Sequence, residues 1–347
     1  MSRQSTQRVA VLHAPEDLRI EERPVPGPGR REVLVKVRSV GVCGSDVHYF
    51  RHGRIGSFVV EGPLVLGHEA SGIVVELGEG ATKHWVGERV CLEPGLPCGA
   101  CGECRAGRYN LCPDIRFLAT PPIDGAFTEY LCMHEDFVFP VPDHLSDDEA
   151  AQIEPLSVGV WACRKGEVGP GKRVLVTGAG PIGLLAMQVA RAAGADHVSV
   201  SDVDPQRLAV AARLGVDAVL DARSGPPEAS SVDVLLECSG AESAVRTGLE
   251  ALRPAGRAVL VGMGVDEVPI PVTALQTREL TLTGTFRYAN TFPAAIALAA
   301  SGKVRFEGVT GVHYRLEEAG EALSRPAAAG EGLKPMVVVS ARGDDLT

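Results

Sequence analysis

The sequence predicts an α/β protein in which a mostly β domain precedes a doubly wound parallel sheet. A length of 347 residues corresponds to about two domains, and a hydrophobic content of 45% is enough for two cores. Up to about residue 150, short runs alternate apolar and polar residues between turns rich in Gly and Pro, a pattern typical of strands. Beyond that point strands alternate with helices, which indicates parallel strands covered on both faces.

The charge and the N-terminal segment exclude several classes of partner. The formal net charge is −10, whereas a nucleic-acid-binding protein needs clustered positive charge. Residues 1–8 are polar and lead into no apolar export segment, and no apolar run approaches the roughly 18 residues of a membrane span. We therefore expect a soluble, cytoplasmic protein with neither a nucleic-acid nor a membrane partner.

Cysteine usage favours metal binding over disulfides. The chain has nine cysteines, an odd number, and four of them lie within fifteen residues. Without an export signal, this pattern favours metal ligation. Four cysteines in apolar surroundings are predicted to be packing residues: Cys91, Cys132, Cys163 and Cys238.

In the first domain, strands are predicted at 9–20, 32–40, 71–77 and 89–92. Two short Gly-flanked turns lie between them. One carries Cys43 and the other carries His68 and Glu69, so that a thiolate, an imidazole and a carboxylate are offered, three ligand types that zinc accepts. For each residue alone, packing in a core is the better explanation. Their combination with Glu154 and with the two motifs below favours a metal site.

The second cysteine cluster follows the last of these strands. Gly99 and Gly102 let its backbone fold tightly, and its cysteines are separated by two, two and seven residues. This spacing can place four thiolates around one zinc, in a closed site whose role is structural. An iron–sulfur cluster is the alternative, and four free exposed thiols would be a chemical liability. The ligands are Cys98, Cys101, Cys104 and Cys112.

Beyond residue 150, a helix at 150–165 follows an acidic stretch that suits a helix N-terminus. Strands are then predicted at 173–177, 197–202, 218–220, 232–238, 257–262 and 280–285, and helices at 182–193, 205–214 and 244–252. The chain continues with a helix at 292–300, segments at 309–312 and 316–323, a strand at 336–339 and a frayed tail at 342–347.

The first strand of this second half ends in a glycine-rich motif. It reads Gly-Ala-Gly-Pro-Ile-Gly from Gly178 to Gly183, it lies between a strand and a helix, and Asp202 follows nineteen residues later. This context indicates a dinucleotide site in which the helix N-terminus stabilises the pyrophosphate and Asp202 accepts both ribose hydroxyls. Because Asp202 would repel a 2′-phosphate, we predict NAD rather than NADP.

Asp202 has an alternative role as a helix N-cap, but Asp204 before Pro205 is better placed for that role. The predicted cofactor-binding residues are Gly178, Gly180, Pro181, Ile182, Gly183, Asp202 and Arg207.

Together these motifs resemble the zinc-dependent medium-chain dehydrogenases/reductases, over nearly the whole chain from residue 9 to about 340. The general family is carried by Cys43-Gly-Ser-Asp, by Gly67-His68-Glu69, by the four-cysteine segment and by the glycine motif. The polyol branch, typified by sorbitol (L-iditol) and xylitol dehydrogenases, is carried by Tyr49 and by residues 53–56, 117–122, 154–159 and 284–290.

The resemblance implies a GroES-like, mostly β catalytic domain at 1–156 and 290–347, with a structural zinc lobe at 95–113. It also implies a Rossmann NAD-binding domain at 157–289. The strand at 280–285 resembles an edge that pairs between subunits, so we expect a homotetramer or a dimer.

The resemblance also implies a ligand set for a catalytic zinc. Cys43, His68 and Glu69 match the ligands, and water completes the site. Glu154 stands where the general alcohol dehydrogenases have a second cysteine, so it is expected to hold the zinc-bound water or to ligate part of the time. The sequence leaves open which glutamate is bound at each step. Asp46 either orients His68 or caps a turn.

By the same resemblance, the zinc binds a secondary hydroxyl as a Lewis acid and stabilises the alkoxide, which passes a hydride to the nicotinamide and becomes a ketose. Ser45 and Glu154, with His48, are predicted to move the proton. The substrate pocket is predicted from Ser45, Tyr49, Phe117, Thr120, Glu154, Arg287 and Tyr288. For Arg287, a salt bridge at a subunit interface fits the residue type as well.

Three functions compete. The first is zinc- and NAD-dependent oxidation of a small polyol of the sorbitol, xylitol or L-iditol type. The second is the same chemistry on another secondary alcohol, such as 2,3-butanediol, a sugar acid like idonate, or threonine. The third, an NAD-binding sensor, would predict an incomplete metal set, whereas Cys43, His68, Glu69 and Glu154 are all present. The preferred polyol, the carbon oxidised and the physiological direction are left open by the sequence.

Overall fold

The structure of the chain, a computed structural model, describes residues 5–264, 267–325 and 332–340. Its residues form two compact units, Met1–Glu154 with Thr310–Thr347, and Pro155–Val309. Segment 290–309, which the resemblance assigns to the catalytic domain, lies in the second unit by this division. Within the described ranges, no helix is both long and apolar enough to cross a membrane. The frayed tail expected at 342–347 lies outside the described residues.

The first unit begins with a series of mostly short strands. In chain order its elements are β1 (Thr6–Ala14), β2 (Asp17–Pro24), β3 (Glu32–Gly41), α1 (Gly44–His52), β4 (Arg54–Ile55), β5 (Phe58–Val59), β6 (Leu64–Val65), β7 (Glu69–Leu77), β8 (Arg89–Leu92), β9 (Gly95–Leu96), α2 (Gly102–Arg105), a 3₁₀ turn (Tyr109–Leu111), β10 (Arg116–Phe117), β11 (Tyr130–His134), a 3₁₀ turn (Glu135–Phe137), β12 (Val138–Pro140) and α3 (Asp147–Ala151).

The second unit alternates strands and helices. After α4 (Ile153–Lys165) come β13 (Arg173–Thr177), α5 (Pro181–Ala192), β14 (His197–Asp202), α6 (Pro205–Arg213), β15 (Ala218–Asp221), β16 (Val232–Glu237), α7 (Glu242–Ala251), β17 (Leu252–Leu260), α8 (Val272–Thr277), β18 (Thr281–Gly284) and α9 (Phe292–Ala300). The six strands pair in the order β15-β14-β13-β16-β17-β18, and every pair is parallel. This is the doubly wound α/β sheet that the sequence predicts.

The chain then returns to the first unit with β19 (Thr310–Arg315), a 3₁₀ turn (Leu316–Glu318), α10 (Ala319–Ser324) and β20 (Lys334–Val338). The main sheet there has the order β12-β8-β7-β3-β20-β19, and β11 also pairs with β3. At its centre the valines of β3 are completely buried. The mostly β, GroES-like first domain is therefore confirmed, and its C-terminal strand inserts beside β3.

Three local expectations differ from the structure. The single strand expected at 9–20 is wrong: β1 and β2 form a hairpin, because Pro15 lacks an N–H for a ladder and Glu16 turns the chain with a φ of 63°. The turn expected after Cys43 is the helix α1. The helix expected at 150–165 is two helices, α3 and α4, because Pro155 offers no N–H to continue the first of them.

Candidate catalytic metal centre and cofactor site

The ends of three neighbouring strands bring the first set of metal ligands together. Gly41, the last residue of β3, pairs with Glu69 of β7 on one side and with Met336 of β20 on the other. Cys43 follows as the N-cap of α1, and His68 directly precedes β7. As a result, one ligand atom each of Cys43, His68 and Glu69 lies within 4.8 Å of the others. We call these three residues the metal trio.

Asp46 lies behind the metal trio and contacts both of its turns. Its carboxylate is fully buried and accepts hydrogen bonds from Cys43 N at 3.1 Å and Gly67 N at 2.9 Å. Its Oδ1 is also 3.4 Å from His68 Nδ1. One carboxylate thus caps α1 and orients the imidazole, so the two roles considered for Asp46 are combined. With Nδ1 engaged, Nε2 remains as the ligand atom of His68.

The electrostatics of the metal trio favour a cation. Burial alone would lower the pKa of His68, but the Asp46 carboxylate and the Cys43 sulfur raise it well above its ordinary value. A site that favours positive charge on a buried ring also favours a divalent ion. The donors are a soft sulfur, an imidazole and a carboxylate, which is a combination that suits zinc. The residues present therefore fit this metal.

Sequence reasoning missed Lys334 entirely. Its ammonium lies 2.7 Å from both carboxylate oxygens of Glu69 and 3.2 Å from Val42 O. The side chain is 3% exposed, and that of Glu69 is fully buried. No local signal marks this residue, because a lysine at the start of a strand is normally solvated. Only the pairing of β20 with β3 reveals it.

Glu154 is buried in the first turn of α4 but falls outside the 4.8 Å cluster of the metal trio. Its charge acts on Lys334 and on Glu93, a second buried carboxylate that sequence reasoning missed. The pKa of Glu93 is raised to about 7. Burial is the main cause of this rise and the charge of Glu154 adds to it, whereas the Tyr109 hydroxyl, bonded to the carboxylate at 2.6 Å, lowers the pKa.

The other residues predicted for proton transfer and substrate binding in the first unit lie on α1, at the end of β10 and on the segment after it. Ser45 is half-buried in the first turn of α1, and Tyr49 is buried. His48 is exposed, with its ring centroid 4.7 Å from that of His52. Phe117 is buried with its ring centroid 5.7 Å from that of His68, so it forms an apolar wall beside the metal trio. Thr120 is half-buried, and its amide donates to Phe117 O at 3.1 Å.

The second metal group is the four-cysteine lobe, which we define as residues 95–113. The sulfurs of Cys98, Cys101, Cys104 and Cys112 lie within 4.8 Å of one another. Backbone amides of the lobe donate to three of them, at 3.3 to 3.4 Å. Amide hydrogen bonds, first from Ala100 and then from Cys101, lower the pKa of Cys98 to about 7. Burial and the neighbouring Cys101 sulfur raise the pKa of Cys104 to about 12, so the amides alone favour a thiolate at Cys98. The four converging sulfurs fit a tetrahedral zinc.

In the second unit, the glycine motif forms the turn between β13 and α5. Gly178 has a φ of 90°, which favours glycine. A Cβ at Gly183 would collide with Gly178 O, whereas one at Gly180 would meet nothing within 4 Å. The helix thus packs tightly on the strand while the backbone at Gly180 stays open to a ligand. Gly180 is the N-cap of α5, and Pro181 takes its first position.

A cavity of about 590 Å³ opens in front of this turn. Of the predicted cofactor residues, it is lined by Gly178, Gly180, Asp202 and Arg207, but not by Pro181, Ile182 or Gly183. Asp202 accepts Ala179 N at 2.6 Å and Asp204 N at 2.8 Å, which fixes its carboxylate. Asp204 caps α6, as predicted, by accepting Gln206 N at 2.8 Å.

One wall of this cavity depends on Glu237, another residue that sequence reasoning missed. Its buried carboxylate accepts hydrogen bonds from Ser239 N at 2.8 Å, from Gly240 N at 3.1 Å and from the Ser239 hydroxyl. Thr177, at the end of β13, donates to the same carboxylate at 3.3 Å. Glu237 therefore holds the loop after β16 against the glycine motif. The cavity has the open backbone and the acidic ribose position that an NAD molecule requires.

Arg287 and Tyr288 lie in the second unit. The guanidinium carbon of Arg287 is 4.7 Å from the ring centroid of Phe286, and the residue has a φ of 54°. Tyr288 is buried, with its ring centroid 5.7 Å from that of Phe292. Their predicted contact with substrate stays a prediction.

Comparisons with known proteins show the family of the chain. A family model described as the alcohol dehydrogenase GroES-like domain matches residues 29–143, and one described as zinc-binding dehydrogenase matches residues 181–301. The chain is 45% identical to the sorbitol dehydrogenase of Mus musculus, over 94% of each protein. It is 42% identical to the sorbitol dehydrogenase of Bacillus subtilis (strain 168), over 95% of this chain and 96% of the relative.

The solved structure of L-idonate 5-dehydrogenase from Escherichia coli K-12 aligns with a TM-score of 0.91 and 30% identity, over 96% of this chain and 98% of that one. The two family models match successive parts of the chain, and the two sorbitol dehydrogenases align with 94 to 95% of it. The chain therefore belongs to the zinc-dependent medium-chain dehydrogenases, in the branch that contains the sorbitol dehydrogenases, and is an oxidoreductase whose cofactors are zinc and NAD.

Proposed function

We propose that this enzyme oxidises a secondary hydroxyl of a small alditol, of the sorbitol, xylitol or L-iditol type, to the ketose with NAD. The observation that carries the proposal is the metal trio, whose sulfur, imidazole and carboxylate converge within 4.8 Å in front of the buried Asp46. The choice of an alditol as substrate is supported by the 42% and 45% identity to sorbitol dehydrogenases.

In this proposal Cys43, His68 and Glu69 hold the catalytic zinc, and the four-cysteine lobe holds a structural one. When bound, the catalytic zinc supplies Lewis acidity at the substrate hydroxyl. Asp46 keeps the imidazole of His68 in one tautomer and one orientation. Phe117, packed on that ring, keeps water from one side of the centre.

The proton that leaves the substrate hydroxyl needs a path to solvent. Glu154 is buried, Ser45 is half-buried and His48 is exposed, so the three side chains span the range from interior to surface. We assign Glu154 and Ser45 to the inner part of the path and His48 to its outer end. We also propose that Glu154 holds the zinc-bound water or binds the catalytic zinc part of the time.

Recognition of the remaining hydroxyls is assigned to Tyr49, Thr120, Arg287 and Tyr288, because hydroxyl and guanidinium donors suit a chain of hydroxyl oxygens. The identity to an L-idonate dehydrogenase structure makes a sugar acid the second candidate substrate. 2,3-Butanediol and threonine remain in the same class of secondary alcohols.

The deciding experiment follows NADH formation by the zinc-loaded enzyme with sorbitol, xylitol, other alditols, 2,3-butanediol, idonate and threonine. Alditols should react fastest, and Cys43→Ser should lower the rate more than about 100-fold while NAD binding persists. Cys132→Ser, a half-buried cysteine outside both metal groups, is the matched control and should keep full activity.

Turnover of idonate, a diol or threonine without any turnover of alditols would refute the alditol assignment and keep the metal chemistry. NAD binding without any turnover would instead favour the sensor.

We also propose a homotetramer or dimer located in the cytoplasm. The support for assembly is the position of β18 at the end of the six-stranded sheet order, where a second copy of the chain can pair with it. Light scattering of the purified protein tests this, and a monomer would contradict it.

A further inference from the structure

Lys334 has all of its hydrogen-bonding capacity engaged beside the metal trio. Its ammonium has three donors, and the structure gives it three acceptors: Glu69 Oε1 and Oε2 at 2.7 Å each, and Val42 O at 3.2 Å. No donor is left to reach a substrate. Any role in the reaction must therefore act through Glu69 or through the charge of the ammonium.

The position of Glu69 is fixed from two sides. A Cβ at Gly41 would collide with Glu69 Oε2, so the backbone of β3 covers that oxygen. Lys334 bonds both oxygens from the side of β20. Each carboxylate oxygen has a second lone pair, so Oε1 is the atom that stays available to a metal.

The charges of the centre explain why a cation is needed there. Beside one divalent zinc stand the Cys43 thiolate and the carboxylates of Asp46, Glu69 and Glu154, which together carry two negative charges more than the metal balances. Lys334 supplies one positive charge. Burial alone would lower the pKa of its ammonium, but Glu69, Cys43 and Glu154 raise it.

We propose that Lys334 is a positioning residue of the catalytic centre: it shares the metal-binding oxygen of Glu69 and offsets the charge of the second carboxylate, Glu154. This inference rests on the proposed function of the metal trio. It implies that Glu69 binds the metal less tightly than an unshared carboxylate would, so that exchange between Glu69 and Glu154 at the metal stays accessible.

The test uses the full-length protein with Co²⁺ in place of zinc, because the visible bands of cobalt report its ligands directly. The spectrum of Cys43→Ser contains only the four-cysteine lobe and is subtracted. Lys334→Met removes the charge at similar length, Lys334→Arg keeps it, and Lys83→Met is the matched control that breaks an exposed lysine–aspartate pair with Asp136.

We expect Lys334→Met to shift the catalytic cobalt bands and to slow the release of catalytic zinc to a chelator by about tenfold, because Oε1 of Glu69 is then no longer shared with the ammonium. Turnover should fall by about tenfold, with NAD affinity unchanged. Lys334→Arg should largely restore the bands, and Lys83→Met should match the unmodified protein. If Lys334→Met does not accumulate as folded protein, Lys334→Gln keeps a donor without the charge and should give the same shift.

Catalytic cobalt bands that coincide with those of the unmodified protein, or zinc release that is not slowed, would show that Lys334 forms only a structural ion pair. Because the bands do not depend on substrate, they test Lys334 even if no alditol reacts. A difference spectrum without bands in the unmodified protein would overturn the metal assignment and this inference with it.

Discussion

The two metal groups of the first unit are built in opposite ways. The four-cysteine lobe draws its ligands from fifteen consecutive residues, uses one ligand type, and satisfies its sulfurs with amides of the same loop. The metal trio draws on two separate turns, uses three ligand types, and depends on Asp46 and on Lys334 from the far end of the chain. The ligands of the lobe are brought together by a short local segment, whereas the ligands of the metal trio are brought together by strands that are distant in sequence.

The strongest test of this contrast removes the lobe. Cys101→Ser should lower the zinc content from two to one per chain and reduce the unfolding temperature by at least about 5 °C, because the lobe has little core of its own. Activity per chain that retains its catalytic zinc should fall less than about tenfold. Metal analysis, calorimetry and NADH formation measure these quantities. If Cys101→Ser also empties the metal trio, the two groups are one cooperative unit and the contrast is wrong.

The next test concerns support from the fold. Asp46→Asn keeps the shape of the side chain but loses the charge that orients His68, so turnover or catalytic zinc affinity should fall about 10- to 100-fold. The zinc of the lobe should be retained. Asp136→Asn, at an exposed ion pair with Lys83, provides the control and should leave both quantities unchanged. Equal loss of zinc from both groups in Asp46→Asn would instead indicate general unfolding.

The smallest expected effect is on stability, at the hydrogen bond between Tyr109 of the four-cysteine lobe and the buried Glu93. Tyr109→Phe removes the hydroxyl bonded to Glu93 at 2.6 Å and should cost about 1 kcal/mol of unfolding free energy. Burial raises the pKa of Glu93 from 4.5 to about 7, so its contribution to stability is present below pH 4.5 and is lost as pH rises through 7. The Tyr109 hydroxyl stabilises the ionised form of Glu93.

The difference between Tyr109→Phe and the unmodified protein should therefore be larger at pH 8 than at pH 6 in urea titrations. Tyr130→Phe serves as the control at a half-buried tyrosine on β11. A difference that is constant with pH would mean that Glu93 does not ionise in this range.

The same contrast explains how far the sequence could predict the molecule. Cys98 to Cys112, and Gly178 to Gly183, are local in sequence, so spacing and context were enough to predict their arrangement. The doubly wound sheet followed from alternating strands and helices. The hairpin at Pro15 was missed although Pro15, Glu16 and Asp17 interrupt the apolar pattern with a turn signal.

Lys334, Glu93 and Glu237 were missed for a different reason. Each is a charged residue that is buried only because distant segments pack on it, and an isolated charged residue is normally predicted to be exposed. The partners of Lys334 and Glu93 lie in other strands or loops, so no spacing rule connects them. Glu237 bonds Ser239 and Gly240 directly after its own strand, but only the fold brings Thr177 to the same carboxylate.

The pairing of β20 with β3 also sets an order of events during synthesis. Glu69 leaves the ribosome 265 residues before Lys334, roughly 15 to 50 s earlier at typical translation rates. Until Lys334 has been synthesised, the nascent chain has no ammonium that can pair with Glu69, and burying an unpaired carboxylate is unfavourable. The whole cofactor-binding unit is translated in this interval. A truncated chain that lacks β20 therefore lacks Lys334 and has an incomplete catalytic centre. In such a chain the charge of Glu69 has no lysine to balance it.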